Sequence, residues 1–237
     1  MPRSDNGCRP ARKKEVPSDI TVVLLAGNPG WRMKSYGPQC LQKLSTGQTL
    51  LDKQVSSIRA VLPESEIIIT CKDYLTKILN NKPYDVRVVQ SQIEDSNEVE
   101  EIRLALNNTI TDNVLFVCSD MYFDRNIFNS VDFNESFVLY ETNNMMASDS
   151  VGVTIVNGKA SIMSYGIDNK WARIFYVNQR GKVSLNHYCK NEQNQKMFAW
   201  EAVNYVVDKS SVFAYRTDSN LYCVENTNDI RKLKGMK

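Results

Sequence analysis

The chain has 237 residues, 42% of them hydrophobic and 24% charged, which fits one large α/β domain or two small ones with a sizeable core and excludes wholesale disorder. No apolar run approaches the roughly 18 residues that cross a bilayer, so a protein held by a spanning helix is excluded. The 29 Lys and Arg against 27 Asp and Glu leave a net charge of +2, too balanced for a domain that coats nucleic acid.

Residues 1–18 are polar, contain Pro2, Pro10 and Pro17, and set Arg3, Arg9, Arg12, Lys13 and Lys14 against Asp5 and Glu15. They read as a disordered basic tail without the apolar core of a secretory signal, ahead of a single domain over 19–237. Cys8, Cys40, Cys71, Cys118, Cys189 and Cys223 form no CxxC pair, and three of them sit in apolar runs, which points to a reducing cytoplasm and no zinc.

From Ile20, ITVVLLAG is a continuous β-rich apolar run, as expected of a parallel strand buried on both faces. TLLDKQVSSIRAVLP then places Leu51, Val55, Ile58 and Leu62 on one helical face and stops at Pro63, and EIIITC follows as a second strand. The alternation continues through a short helix (YLTKILNN), a strand (YDVRVVQ), a helix (NEVEEIRLALNN) with Asp95 and Glu98 in capping-box spacing, and the strand NVLFVCSD. After Asp120, SFVLYE, VGVTIV, KASIMSYG and WARIFYV are strand-like, with Asn157-Gly158 as a hairpin signal. An amphipathic segment over 192–208, the strands VFAYR and LYCVE and a short last helix complete the chain, with His187 in a polar, loop-like stretch. The fold class predicted is α/β: a doubly wound, mostly parallel, Rossmann-like sheet with antiparallel additions in the second half.

In such a sheet ligands bind beyond the carboxyl ends of the strands. The first end reads LLAGNPGWRM, where Ala26, Gly27 and Gly30 let backbone amides close on a polyanion and Arg32 adds a planar, permanently charged donor set. It is neither a P-loop nor GxGxxG.

The stretch from Leu24 to Ile58 resembles the opening of the nucleotidyltransferases that activate sugar phosphates and choline phosphate, whose pattern is L-A-[AG]-G-x-G-x-R-[ML], then P-K-x-L, then G-x-x-L-[LI]. Ala26, Gly27, Arg32, Met33, Pro38, Leu41, Gly47, Leu50 and Leu51 fall on it. The resemblance implies a GT-A-like nucleotidyltransferase fold, with Leu25, Ala26, Gly27, Asn28 and Gly30 around the nucleotide and Arg32 on its phosphates. Asn28-Pro29-Gly30-Trp31 rewrites the tip, and Gln39 replaces the lysine of P-K, leaving Lys34 and Lys43 as substitute cations. Further along, it implies base contacts from Gln90 or Gln92 and Asn97, and a metal-binding aspartate at Asp120. The closing YCVENTNDIRKLK resembles I-D-T-x-x-D-[LI] and places Glu225 as second metal ligand, or Asn226 in a register shifted by one. Glu201 and Trp200, with aromatic neighbours, stand as acceptor contacts of the kind that bind a cationic head group.

The reaction implied is transfer of a nucleoside monophosphate, CTP being the guessed donor, to a sugar phosphate, choline phosphate or phosphonate, with release of pyrophosphate. An acceptor phosphate is already largely dianionic at neutral pH and needs no general base. Mg²⁺ on Asp120 and the Arg32 charge would supply the rate. The partners are then the triphosphate and the phosphorylated acceptor, with neither nucleic acid nor membrane, and a homo-oligomer stays open. A metal-dependent glycosyltransferase of the same architecture and an inactive nucleotide-binding protein are the alternatives.

Overall fold

A six-residue strand with no exposed residue, β1 (Ile20–Leu25), is the centre from which the fold is built. The computed structural model describes residues 19–27, 33, 36–143, 146, 147 and 149–235. Residues 1–18, including the whole proposed tail, lie outside that range, as do Asn28, Gly30, Arg32 and Lys34.

On one side β1 pairs in parallel with β2 (Glu66–Lys72), and β2 with β3 (Arg87–Ser91). The crossovers are α1 (Leu50–Arg59) and α2 (Asp73–Asn80). Helix α1 starts where Thr49 Oγ1 accepts the Asp52 amide and the Asp52 carboxylate accepts the Thr49 amide, a reciprocal cap that satisfies two orphan donors. From β3 the chain crosses back through α3 (Glu98–Asn108) to β4 (Asn113–Cys118), which pairs in parallel with the other side of β1. The strand order therefore reverses between β1 and β4, and a crevice opens at their carboxyl ends.

Beyond β4 the character changes as the sequence predicts. β9 (Lys170–Val177) runs antiparallel to β4 and to β6 (Phe137–Glu141). Outside β6 lie β10 (Phe213–Arg216), β8 (Lys159–Ser164) and β7 (Gly152–Val156), so the nine-stranded order is β3-β2-β1-β4-β9-β6-β10-β8-β7. Asn157 and Gly158 turn between β7 and β8 with φ of 52° and 75°, the doubly left-handed geometry a tight hairpin needs. Phe116 of β4 and Phe175 of β9 stack at 4.7 Å across this seam.

Three features differ from the sequence reading. His187 lies not in a loop but on α4 (Gln179–Cys189), where it stacks on Tyr205. Helix α4 buries only Gly181, Leu185 and Cys189, a stripe one residue wide that gives little periodic signal. The amphipathic segment divides into a 3-10 turn (Glu192–Asn194) and α5 (Ala199–Lys209). The cap of α3 is Asn97, whose side chain accepts the Glu98 amide; Asp95 pairs instead with Lys196, and Glu98 turns inward.

A two-stranded ribbon then sets the site. β5 (Met121–Phe123) pairs antiparallel with β11 (Leu221–Cys223), and the Val224 amide donates to the Asp120 carbonyl at 2.9 Å. Helix α6 (Thr227–Gly235) packs Ile230 and Leu233 onto Met33, Leu44 and Leu50, a small second core that holds the end of the described chain against its beginning.

Candidate active site

The carboxyl ends of β1 and β4 are joined by the Ser119 amide, which donates to the Leu25 carbonyl at 3.0 Å. One residue further, Asp120 is buried at 5% exposure. Its Oδ2 accepts from Arg173 at 3.1 Å, while Oδ1 is buried and meets no donor. Burial pushes the Asp120 carboxyl above its ordinary range, the Arg173 charge opposes the rise, and the charges of Glu98 and Glu225 add to it.

Glu225 follows the β11 ribbon. Asp229, in the first turn of α6, accepts both the Glu225 and the Asn226 amides at 3.0 and 3.1 Å, and its other oxygen accepts from the Tyr222 hydroxyl. This clamp fixes the backbone that carries Glu225 beside Asp120. Among the described residues no three His, Cys, Asp or Glu side chains form a metal cage.

Asp120 and Glu225 line a cleft of about 280 Å³ together with Gln39 and Trp200, so four residues singled out in the sequence, spread over 187 positions, meet in one place. Gln39 is buried in a 3-10 turn after Pro38, and its Nε2 donates to the Val224 carbonyl at 2.7 Å. The position of the expected lysine therefore holds a neutral amide tied to the same ribbon. The same cleft is lined by four aromatic residues, Tyr165, Trp171, Phe198 and Trp200, with Tyr165 and Trp200 edge-to-face at 5.8 Å. Tyr165 and Phe198 are exposed at 58% and 44%, which marks a surface kept open rather than a core stripe.

Arg173, which the sequence did not single out, and Glu98, read there only as part of a helix cap, complete the site. One Arg173 nitrogen, Nη2, bridges Asp120 and Glu98 Oε1, the latter at 3.0 Å, and Glu98 Oε2 accepts the Ala199 amide that opens α5. A charged residue inside the apolar run WARIFYV was the available signal for Arg173. No local pattern marks Glu98, whose partners stand 75 and 101 residues away.

The remaining expected residues lie elsewhere. The Gly27 amide is not left for a phosphate but donates to Glu101 Oε2 at 2.8 Å, and a Cβ on Gly27 would stand 2.4 Å from Glu101 Oε1. Leu25 and Ala26 are bound into the sheet, Ala26 through the Thr70 carbonyl. Lys43 is exposed, paired with Thr49 in the turn before α1, and does not line the cleft. Gln90 donates to Asp73, Gln92 is exposed, and Asn97 caps α3. The Glu201 carboxylate accepts the Phe198 amide and so satisfies the start of α5 instead of facing the cleft.

Residues 22–131 match the MobA-like NTP transferase domain. In structure the chain is similar to the inositol-1-phosphate CTP transferase from T. maritima, at 12% identity and a TM-score of 0.77 over 92% of this chain and 96% of that one. It is also similar to the CTP:phosphocholine cytidylyltransferase from Streptococcus pneumoniae, at 14% identity and a TM-score of 0.73 over 91% and 98%. A nucleoside-diphosphate-sugar pyrophosphorylase from Vibrio cholerae RC9 gives 11% identity and a TM-score of 0.73 over 91% and 100%. No curated protein matches the chain. The chain thus matches an NTP transferase domain over residues 22–131 and shares its fold, with the crevice at the ends of β1 and β4, with these proteins.

Proposed function

We propose that the chain transfers the nucleotidyl unit of CTP to a small phosphorylated acceptor that carries a cationic head group, releasing pyrophosphate. The observation that carries this reading is the cleft itself. Tyr165, Trp171, Phe198 and Trp200 share its lining with Asp120, Asp149 and Glu225, a combination that attracts an ammonium group through ring quadrupoles and carboxylate charge together. CTP as donor is supported by the two cytidylyl-transferring proteins among the similar structures.

Asp120 and Glu225 are the residues that would hold Mg²⁺, an ion commonly bound by one or two carboxylates with substrate phosphates filling its shell. The unpartnered Asp120 Oδ1 fits that role. Bound there, Mg²⁺ would neutralise the triphosphate and the charge developing on the leaving group. The chain's own contribution is to orient and to exclude. The β5–β11 ribbon fixes the two carboxylates, and Trp200 and its neighbours hold the acceptor head so that its phosphate points toward the strand ends.

The test crosses the four triphosphates with phosphocholine, an aminoalkyl phosphonate and a sugar phosphate, with Mg²⁺, and follows pyrophosphate. The expected result is the highest kcat/KM for CTP with the cationic acceptors. Equal turnover of a sugar phosphate would contradict the acceptor assignment, and silence throughout would contradict the reaction.

A further inference from the structure

The cleft walls carry four carboxylates, Glu98, Asp120, Asp149 and Glu225, and among the described residues that line it one cation, Arg173. A site of that balance leaves phosphate charge to be offset by a metal ion on the carboxylates and by any cation aimed at it. The position where the family resemblance places a lysine holds Gln39, and Lys43 is exposed outside the cleft.

Arg173 reaches the cleft by an irregular backbone. Val138 faces Phe175 while Tyr140 faces Trp171, so β9 carries two residues more than β6 across this stretch, and Arg173 sits within the bulge at φ 57°. Bulges re-aim side chains, and a left-handed arginine in a strand persists only where surrounding contacts hold it. Within this bulge, Ile174 pairs with Val117 near the carboxyl end of β4, and the neighbouring Arg173 reaches Asp120 beyond that strand end. There Nη2 holds two carboxylates, Nε is buried without a hydrogen-bond partner, and the 22% of the side chain left exposed forms part of the cleft wall.

Resting on the transferase reading above, we propose that Arg173 is a phosphate-binding cation of this site, taking over from a different strand the charge that a lysine at position 39 would supply. In the step it serves, an acceptor phosphate oxygen bonds to the α-phosphorus as the bond from that phosphorus to the oxygen bridging to the β-phosphate breaks, and the electron pair leaves with pyrophosphate. Arg173 gives up neither atom nor proton; it offsets phosphate charge amid the carboxylates.

The test measures pyrophosphate release from CTP and phosphocholine with Mg²⁺ for the wild type, Arg173→Lys, Arg173→Gly, Gln39→Lys and the double variant Gln39→Lys/Arg173→Gly. Glycine suits the left-handed backbone, and thermal melts check that each variant folds. Arg173→Gly should lower kcat/KM by about 10² or more, Arg173→Lys should retain part of it, and a lysine at position 39 should gain less in the wild type than in the Arg173→Gly background. The double variant should exceed Arg173→Gly by about tenfold, because a lysine at position 39 restores the missing charge. A double variant no better than Arg173→Gly, or a gain from Gln39→Lys in the wild type as large as in the Arg173→Gly background, would overturn the proposal while wild-type turnover leaves the transferase reading standing. Calorimetric titration with pyrophosphate and Mg²⁺ gives a readout independent of turnover. Affinity should fall about tenfold in Arg173→Gly and recover in the double variant, and equal affinity in all three proteins would overturn the proposal even if the wild type is silent with every acceptor.

Discussion

In the proposed reaction Asp120 holds the metal, and its surroundings say what its replacement should do. It is buried, one oxygen is bound by Arg173 and the other has no partner, so a neutral amide of the same shape removes the charge with little change in volume. Asp120→Asn should leave a folded protein whose turnover with saturating Mg²⁺ falls by about 10² or more, and Glu225→Gln should show a smaller loss. Wild-type rates in Asp120→Asn would take it out of the site.

Glu101 presents a different case. Burial pushes its carboxyl up to about 8 against the Gly27 amide, with Glu98 adding to the rise and Thr70 opposing it. In the unfolded chain the same group titrates near 4.5. Between those values the folded protein holds a proton that the unfolded chain has lost, so this group makes stability fall as pH rises from about 4.5 to about 8. Thermal melts across that range should show a falling midpoint in the wild type and a flatter profile in Glu101→Gln. Parallel profiles would mean Glu101 is ionised in the fold.

Among the elements, those set by local chemistry were the legible ones. The run ITVVLLAG could only be a strand buried on both faces, and β1 has no exposed residue. Helix α1 announced itself through its apolar face and Pro63, and its cap gives an element-scale prediction. Thr49→Ala removes the acceptor for the Asp52 amide and should cost about 1 kcal/mol in denaturant unfolding, with α1 otherwise intact. An unchanged midpoint would show that tertiary packing alone holds the start of α1. Helix α4 was hidden because its buried stripe is a single row, and Gly181, a poor helix former, sits in that row, where a Cβ would meet Ser136 Oγ at 2.6 Å. Strand β5 was hidden because three residues after an aspartate carry no period; only pairing with β11, about a hundred residues away, makes them a strand.

At the scale of the whole molecule, the doubly wound half was readable because each crossover is local, and the switch between β1 and β4 follows from strand order. The second half was readable as strands but not as an order, since the pairings of β9 with β4 and of β10 with β6 join distant segments. The site divides along the same line. Asp120 could be placed from the strand that ends there, and Glu225 from its resemblance to a closing motif. Arg173 and Glu98 belong to a network that exists only once β9, α3 and α5 are packed together. Among the described residues no helix is long and apolar enough to cross a membrane, and Cys40, Cys71, Cys118, Cys189 and Cys223 are free and buried.

Whether this cleft joins a nucleotide to an acceptor phosphate can be read from phosphorus NMR of the protein with CTP, phosphocholine and Mg²⁺. The acceptor's phosphomonoester signal should decline as a diphosphate-linked product and pyrophosphate grow in equal amounts, and Asp120→Asn should abolish all three changes. Conversion of CTP with the acceptor signal intact, or spectra that stay unchanged with every cationic acceptor, would contradict that reaction.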